Sequence, residues 1–233
     1  MKNRSIVILT GAGVSAESGV KTFRDNNGLW ENHRFEEVAT PEAFARDPKL
    51  VHRFYNARRA QLNEVEPNAA HLALAELEKN WEGDFLLITQ NVDDLHDRAG
   101  SEKLLHMHGE LRKVKCVKCG FNSSWTDDLL QETECPKCGS THSLRPDIVW
   151  FGEMPYHLDE CFQACATADI FISIGTSGEV YPAAGFVSHT PEMCRRIEVN
   201  PKSTGISRQF EEHIQGPAAE VLPEFLRQLL ALN

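Results

Sequence analysis

The chain has 233 residues, 41% of them apolar, and a formal net charge of −10 at neutral pH. This length suits one sizeable domain, or a large unit with a small insertion, and no apolar run approaches the ~20 residues that span a bilayer. The acidic balance argues against nucleic acid as the main partner, because neutralising phosphates requires a basic face. The N-terminal apolar run is too short for a signal-peptide core, so we expect a cytoplasmic protein.

The first predicted element is a buried strand, Ile6-Val7-Ile8-Leu9, of the kind found in parallel sheets. It leads into Gly11-x-Gly13-x-x-Ala16, a loose dinucleotide pattern in which backbone N–H groups and a helix N-terminus receive a pyrophosphate. The acidic residue of a dehydrogenase, expected about 20 residues on, has no good candidate. Phe23 and Arg24 follow in a predicted loop over the pocket, with a core aromatic as the alternative for Phe23.

Three helices are predicted next, beginning at Pro41 behind the cap Thr40, at Leu50–Leu62 and at His71–Lys79. Tyr55 and Arg58 are three residues apart and therefore share one face of the second helix. An ordinary surface pair of tyrosine and arginine is the alternative interpretation. His71, near the start of the third helix, is predicted to be structural.

A second buried strand, Phe85–Thr89, ends in Gln90-Asn91-Val92-Asp93. Polar groups directly after a strand lie where open α/β sheets contact ligands, although a plain Asn/Asp turn is the alternative. His106 and His108 alternate with apolar residues, which predicts that they face the same side of an extended segment. Gly109 leaves open backbone beside His108, and histidine suits general base catalysis near pH 7.

Four of the seven cysteines form two pairs with metal-ligand spacing, Cys116-x-x-Cys119 and Cys135-x-x-Cys138. Two such knuckles supply four thiolates to a tetrahedral Zn²⁺, and a closed set of four leaves no position for catalysis. The sequence therefore predicts one structural zinc, with a ribbon that binds nucleic acid as the alternative. The remaining cysteines are predicted to be small core residues: Cys161, Cys165 and Cys194.

Further apolar segments complete the predicted sheet. Ile148-Val149-Trp150-Phe151 is extended, either as an edge strand that accepts a peptide by strand addition or as a buried strand. A third parallel strand ends in Gly175-Thr176-Ser177, a fourth ends in Asn200-Pro201, and an amphipathic helix follows over Val221–Leu232.

The four parallel strands thus all end in small or polar residues. In a doubly wound sheet such ends share one edge, where ligands bind. We therefore predict a nucleotide pocket at this edge, with His108 near it.

In order and spacing, these segments resemble the sirtuins, NAD-dependent protein deacylases, over essentially the whole chain. The matching segments are Gly11-Ala12-Gly13-Val14-Ser15, Ser18-Gly19, Phe23-Arg24, Gln90-Asn91-Val92-Asp93, His108-Gly109-Glu110, the four paired cysteines, Val149-x-Phe151-Gly152-Glu153, Gly175-Thr176-Ser177 and Asn200. The resemblance implies an α/β fold, a Rossmann-like doubly wound parallel sheet with a small inserted zinc ribbon, in a single catalytic domain. The implied large part comprises residues 1–33, 72–110 and 148–233, and the small part a helical segment 34–71 and the ribbon 111–147.

The resemblance also implies the reaction. NAD, the cosubstrate, binds along the strand ends, and the acyl-lysine carbonyl oxygen attacks the ribose carbon as nicotinamide leaves. Asn91 and Asp93 position the ribose and nicotinamide, and His108 is the general base on a ribose hydroxyl. Water completes the hydrolysis, which gives free lysine and O-acyl-ADP-ribose. The implied cofactor-binding residues are Gly11, Ala12, Gly13, Ala16, Phe23, Arg24, Trp30, Gln90, Asn91, Val92, Asp93, Gly175, Thr176, Ser177, Asn200, Pro201 and Ala218.

Tyr55-x-x-Arg58 and Ala39-Thr40-Pro41 further resemble the sirtuin branch that removes acidic acyl groups such as succinyl and malonyl. Arg58 can hold an acyl carboxylate in a bidentate pair, and Tyr55 can add a phenolic hydrogen bond. The implied substrate contacts also include Val149, Phe151, Gly152 and Glu153. Lys21 departs from the family, where many members carry proline.

The expected partners are NAD and acyl-lysine proteins or peptides. The chain is expected to be a monomer and to bind neither a membrane nor nucleic acid. An ADP-ribosyltransferase using the same pocket and a non-catalytic zinc-ribbon module are the alternative functions.

Overall fold

The computed structural model describes residues 4–20, 29–30 and 33–232. Its strands are β1 (Ile6–Thr10), β2 (Leu29–Trp30), β3 (His33–Arg34), β4 (Phe85–Thr89), β5 (Leu104–His106), β6 (Gly109–Cys116), β7 (Asn122–Ser124), β8 (Leu144–Ile148), β9 (Ile170–Ile174), β10 (Arg195–Asn200) and β11 (Glu212–Gln215). Its α-helices are α1 (Phe35–Val38), α2 (Pro41–Arg46), α3 (Pro48–Gln61), α4 (Ala69–Asn80), α5 (Leu95–Ala99), α6 (Leu158–Ala166) and α7 (Ala218–Ala231).

Six parallel strands form the main sheet in the order β11-β10-β9-β1-β4-β5. The central strand β1 pairs with β4 on one side and with β9 on the other, and all five of its residues are buried. This arrangement explains the continuous apolar runs, because a parallel sheet is covered on both faces. The predicted Rossmann-like parallel sheet is confirmed, and its strand order reverses at β1, where such sheets bind ligands.

Helices cover both faces of this sheet. On one face α4 and α7 pack together over β1, and their buried leucines include Leu74, Leu77, Leu222 and Leu226. On the other face α6 and a 3-10 segment, Ala183–His189, enclose the core that contains Cys161, Cys165 and Cys194. These three thiols are buried, as expected of small core residues.

A second, three-stranded sheet has the order β7-β6-β8 and carries the paired cysteines. Helix α3 packs beside it through a buried arginine, Arg59, whose Nε donates to the carbonyl of Leu111 at 2.8 Å. Asn56 accepts from Arg59 Nη1 at 2.9 Å and donates to the carbonyl of Leu129 at 3.0 Å. Hydrogen bonds to carbonyl groups therefore compensate the burial of a guanidinium.

The helix caps follow the sequence closely. Thr40 accepts from the N–H of Ala43 at 3.0 Å, as predicted. Helix α3 begins at Pro48, two residues before the predicted start, because Asp47 caps it by accepting from the N–H of Leu50. Among the described residues, no helix has both the length and the apolar character that crossing a bilayer requires.

Three further differences concern the strands. The extended segment through His106 and His108 is interrupted, because β5 ends at His106 and the next two residues turn into β6. The strand predicted through Phe151 ends at Ile148, followed by a turn in which Gly152 adopts a φ of +90°. Strand β11 was not predicted, because its alternating polar residues lie half exposed at the edge of the sheet.

Candidate active site

Two tight turns meet at the strand ends on either side of the β1–β9 boundary. The N–H of Gly11 donates to the carbonyl of Ile174 at 3.0 Å, and the N–H of Gly13 donates to that of Gly175 at 2.9 Å. A Cβ on Gly13 would lie 2.7 Å from the Cα of Gly175, so glycine is required where the two backbones touch.

Two details of this turn differ from the general dinucleotide pattern. The N–H groups of Gly11 and Gly13 donate to the carbonyls of Ile174 and Gly175. Ala12 and Ala16 each begin a single 3-10 turn, Ala12–Val14 and Ala16–Ser18, where the pattern predicted the N-terminus of an α-helix. The glycines here bring the two strand ends together, and the assignment of this turn to the cosubstrate stays a prediction.

The ends of β9 and β10 are joined by side chains. Asn200 Nδ2 donates to the carbonyl of Thr176 at 2.6 Å, and the hydroxyl of Thr176 lies 3.1 Å from that of Ser173. The hydroxyl of Ser177 accepts from the N–H of Glu179, and the carbonyl of Pro201 accepts from Gln215. The hydrogen bond between Asn200 and Thr176 thus joins the two strand ends.

The closing helix α7 begins against the turn at Ala16. Its first residue, Ala218, is buried, and the next N–H, that of Ala219, donates to the carboxylate of Glu17 at 2.7 Å. A carboxylate at a helix N-terminus is stabilised by the helix dipole. Glu17 therefore fixes Ala218 beside the glycine turn.

The polar segment after β4 continues the same edge. The N–H of Gln90 donates to the carbonyl of Thr10 at 2.9 Å, and Asn91 Nδ2 donates to the hydroxyl of Ser15 at 3.0 Å. Burial raises the pKa of Asp93, and hydrogen bonds from Leu95 and Ser15 oppose that shift. The carbonyl of Val92 accepts from the N–H of Leu111, which ties the segment to β6.

A buried hydrogen-bond chain that the sequence analysis missed orients these groups. The N–H of Asn68 donates to His71 Nδ1, so His71 Nε2 carries the proton and donates to the hydroxyl of Ser15, 3.4 Å away. Ser15 then accepts from both His71 and Asn91, which leaves its own proton for the carboxyl of Asp93. Burial lowers the pKa of His71 to about 4 and keeps this ring neutral. The only sequence signal was a serine inside the glycine turn.

His108 lies beside this segment with a defined tautomer. Its Nδ1 is 3.1 Å from the carbonyl oxygen of Gln90, and because a carbonyl only accepts, Nδ1 carries the proton. Nε2 therefore presents a lone pair. Burial lowers the pKa of His108, with the Gln90 hydrogen bond opposing, so the neutral ring is favoured at pH 7.

His106 has a different environment from His108, because the extended segment predicted through both residues is interrupted after His106. Its Nε2 lies 3.0 Å from the carboxylate of Asp97. Burial disfavours a charged His106, but the hydrogen bond and charge of Asp97 outweigh burial and raise the pKa. The turn at residues 107–108 separates the two rings.

The predicted substrate segment contacts the turn that carries His108. The N–H of Val149 donates to the carbonyl of His108 at 2.9 Å, and the N–H of Phe151 donates to that of Ala39 at 3.0 Å. The carboxylate of Glu153 accepts from Arg145 at 2.6 and 2.9 Å, so this ion pair ties the segment to β8.

Tyr55 and Arg58 lie on the buried side of α3. Tyr55 is fully buried, and its hydroxyl oxygen accepts from Trp150 Nε1 at 2.9 Å. Arg58 is 6% exposed and lines a cleft of about 590 Å³ together with His33, Arg53 and Phe54. The surface-pair alternative is therefore wrong for this tyrosine and this arginine.

The four paired cysteines converge at one end of the three-stranded sheet. Their Sγ atoms all lie within 4.8 Å of one another, with separations of 3.9 Å for Cys116–Cys138 and 3.7 Å for Cys119–Cys135. A tetrahedral zinc with Zn–S bonds of about 2.3 Å requires sulfurs about 3.8 Å apart. This donor set fits one structural zinc ion.

Some predicted contacts fall outside the described residues, namely Phe23, Arg24 and the side chain of Trp30. Lys21 also lies outside them.

Comparison with known proteins identifies the family. The Sir2 family profile matches residues 11–182. An NAD-dependent protein deacylase of Bdellovibrio bacteriovorus is 59% identical over 97% of each chain, and one of Salmonella typhimurium is 53% identical over 99% of this chain and 85% of its own length. The crystal structure of a Sir2 homologue–NAD complex superposes with a TM-score of 0.89 at 42% identity, covering 98% of this chain and 90% of the other. The chain belongs to the Sir2 family.

Proposed function

We propose that this chain is an NAD-dependent lysine deacylase that removes acyl groups from protein lysines. The observation that carries the proposal is the tautomer of His108, whose Nε2 presents a basic lone pair at the edge where the strand ends meet. The 53–59% identical relatives named NAD-dependent protein deacylase support the same activity.

NAD, when bound, supplies the ADP-ribosyl group that accepts the acyl group and releases nicotinamide. We assign its binding to the surface formed by the strand ends, with Thr176, Ser177 and Asn200 at one end and Gln90 at the other. The close backbone contact at Gly11, Gly13 and Gly175 makes this surface continuous. Ala12, Ala16, Pro201 and Ala218 flank it.

In this proposal the chain's own groups perform the proton transfer. His108 Nε2 accepts a proton from a hydroxyl of the bound cosubstrate, and the carbonyl of Gln90 stabilises the resulting charge at Nδ1. Asn91 and Asp93 orient the sugar and amide, and Ser15 holds both side chains in place. The hydrogen bond between Val149 and His108 connects the substrate segment to the base.

We propose further that the acyl pocket accepts succinyl and malonyl groups in addition to acetyl. Arg58 lines a cleft, and Tyr55, one turn away on α3, is fully buried, which raises the pKa of its hydroxyl and keeps it protonated. A charged acyl group held by desolvated donors gains roughly 1.5–3 kcal/mol, or about ten- to a hundredfold. An acetyl group, which lacks the carboxylate, gains nothing from these donors.

We also expect the chain to be a monomer, to lie in the cytoplasm and to have no nucleic-acid partner. We expect a large part joined to a small helical and zinc-binding part. Sedimentation of the purified chain tests the oligomeric state. Limited proteolysis, which cuts linkers between separately packed units, tests the division into parts.

One incubation tests the proposed function. The purified chain is mixed with NAD and matched acetyl-lysine and succinyl-lysine peptides, and the products are identified by mass spectrometry. We expect free-lysine peptide, nicotinamide and acylated ADP-ribose in equal amounts. An ADP-ribosylated protein or peptide as the main product would instead identify a transferase, and unconsumed NAD would exclude both activities.

A further inference from the structure

A buried carboxylate that the proposed mechanism does not use lies two residues before the end of β10. Glu198 is 3% exposed, and its register partners on the neighbouring strands are Ser173 of β9 and His213 of β11. Because side chains alternate along a strand, Glu198 points away from the face that buries Ile197 and Val199. A row of polar residues therefore crosses three strands on the face covered by α6, just before the strands end.

The carboxylate of Glu198 holds the loop that follows β10. Its Oε1 accepts from the hydroxyl of Thr204 at 2.6 Å, and its Oε2 accepts from the hydroxyl of Ser207 at 2.5 Å. The N–H of Thr204 donates in turn to the hydroxyl oxygen of Ser207 at 2.7 Å. The Nδ1 of His213 lies 3.2 Å from Oε2 and adds a third polar contact. Burying a carboxylate is costly unless it is hydrogen-bonded, so the loop that carries two of its donors is held in place.

The same loop packs against the turn that follows β9. A Cβ on Gly178 would lie 2.6 Å from Ile206 Cγ1 and 3.2 Å from Thr204 Oγ1, so the turn and the loop are in direct contact. A φ of +69° at Gly178 further favours glycine there. The hydrogen bond from Asn200 to the carbonyl of Thr176 joins the same two segments where each leaves its strand. The loop after β10 therefore supports the turn after β9.

We propose that Glu198 is a positioning residue for the adenosine half of NAD, because it fixes the loop after β10 against the turn after β9. The inference rests on the proposed function, in which the reacting ribose meets His108 near the end of β4. The other half of the cosubstrate then extends along the edge to Ser177 and Asn200, which belong to the two joined segments. Glu198 does not touch the cosubstrate in this arrangement, because it is buried and its oxygens accept from the protein's own hydroxyl groups.

The test measures cosubstrate binding and turnover separately in the full chain. Glu198→Gln keeps the size of the side chain and removes its charge, and Thr204→Val keeps the shape of threonine and removes the donor. We expect each substitution to raise KM for NAD, and the calorimetric Kd for ADP-ribose, by about three- to thirtyfold. Turnover at saturating NAD and KM for the acyl-lysine peptide should change by less than about twofold. In the double variant the two effects should not multiply, because both substitutions act on one contact.

A matched control is the same substitution on the neighbouring strand. Glu212→Gln removes a carboxylate from β11, where Glu212 accepts from Arg195 of β10 at 2.5 and 2.7 Å. We expect KM for NAD and the Kd for ADP-ribose to stay at their wild-type values in this control. If Glu198→Gln fails to fold, Ser207→Ala removes one donor and leaves the carboxylate in place, and the same constants are measured.

The outcomes are distinct. An active Glu198→Gln variant with unchanged KM for NAD would overturn the positioning role. Equal losses in turnover and in the affinity for both substrates, together with a lower melting temperature, would show a general structural role and would also overturn it. A wild-type chain that binds ADP-ribose but releases no nicotinamide with acyl-lysine peptides would overturn the proposed deacylase function, and the ADP-ribose affinities would still decide the role of Glu198. A wild-type chain that binds no ADP-ribose would overturn both.

Discussion

The carbonyl of Gln90 fixes the Nδ1 proton of His108, so a backbone group immediately after β4 determines which nitrogen of the imidazole is basic. We expect His108→Ala to lower kcat by about 10²- to 10⁴-fold, the usual contribution of a general base. NAD binding, measured by calorimetry, should remain, because the strand ends are unchanged. Near-normal turnover would place the base elsewhere.

The pH dependence of the rate follows from the burial of the same ring. A general base must be neutral, so activity falls as pH drops through its pKa. Because burial lowers the pKa of His108, this acid limb should lie below pH 6.5, the ordinary value for histidine. A profile of kcat/KM for NAD between pH 5 and 8 measures it, and a limb centred above pH 7 would contradict the assignment.

Acyl preference should depend on Arg58. Arg58→Met keeps much of the side-chain length and removes the charge, so we expect desuccinylation to fall about ten- to a hundredfold while deacetylation changes little. Kinetics with matched peptides measure both. Arg53→Met is the control, because Arg53 lines the same cleft on an exposed part of α3. Parallel loss of both activities in Arg58→Met would argue against carboxylate recognition.

The cysteine cluster predicts one bound zinc per chain with a structural effect. Cys119→Ser removes one of four thiolates, so metal analysis should find less zinc and thermal denaturation should occur at a lower temperature. Ser143→Ala is a milder comparison, since Ser143 contacts Cys116 but supplies no thiolate. Full metal content in Cys119→Ser would show that the four sulfurs do not act as one site.

Stability should decrease in mild acid. His52 titrates near pH 6.5 when unfolded, whereas burial, aided by the positive charge of Arg59, lowers its folded pKa to about 4. Between these values the unfolded chain binds more protons, so the free energy of unfolding falls as pH drops. We expect His52→Gln to recover about 1 kcal/mol of this loss at pH 5, measured by urea unfolding at pH 5 and 8. An unchanged pH dependence would mean that other histidines, such as His71, account for it.

The sequence predicted those parts of the fold whose residue pattern follows directly from burial or from metal binding. Continuous apolar runs identified β1, β4 and β9, because only strands covered on both faces need them. The polar residues of Glu212–Gln215 hid β11, since an edge strand is held mostly by its backbone. Paired cysteine spacing identified the metal site, because a tetrahedral ion dictates the positions of its ligands.

The missed features of the candidate site are contacts between distant segments. No local pattern reports that Ser15 joins His71 to Asn91, or that Trp150 donates to Tyr55. The glycine pattern gave no sign that the N–H groups of Gly11 and Gly13 donate to the carbonyls of Ile174 and Gly175. These contacts depend on which strands become neighbours. The order of strands in a sheet cannot be read from any single segment of the sequence.

Strand β6 begins directly after His108 and ends at the first zinc ligand, Cys116. The eight residues of β6, whose pairing with β8 is irregular between Glu110 and Val114, therefore connect the imidazole to the metal cluster. At its start, Gly109 lies so close to Asp147 of β8 that an added Cβ would be 2.0 Å from the carbonyl oxygen. A tilt of the ribbon would consequently move the imidazole, so we expect deacylation to slow when zinc is removed, although a closed set of four thiolates leaves the ion no open position for chemistry.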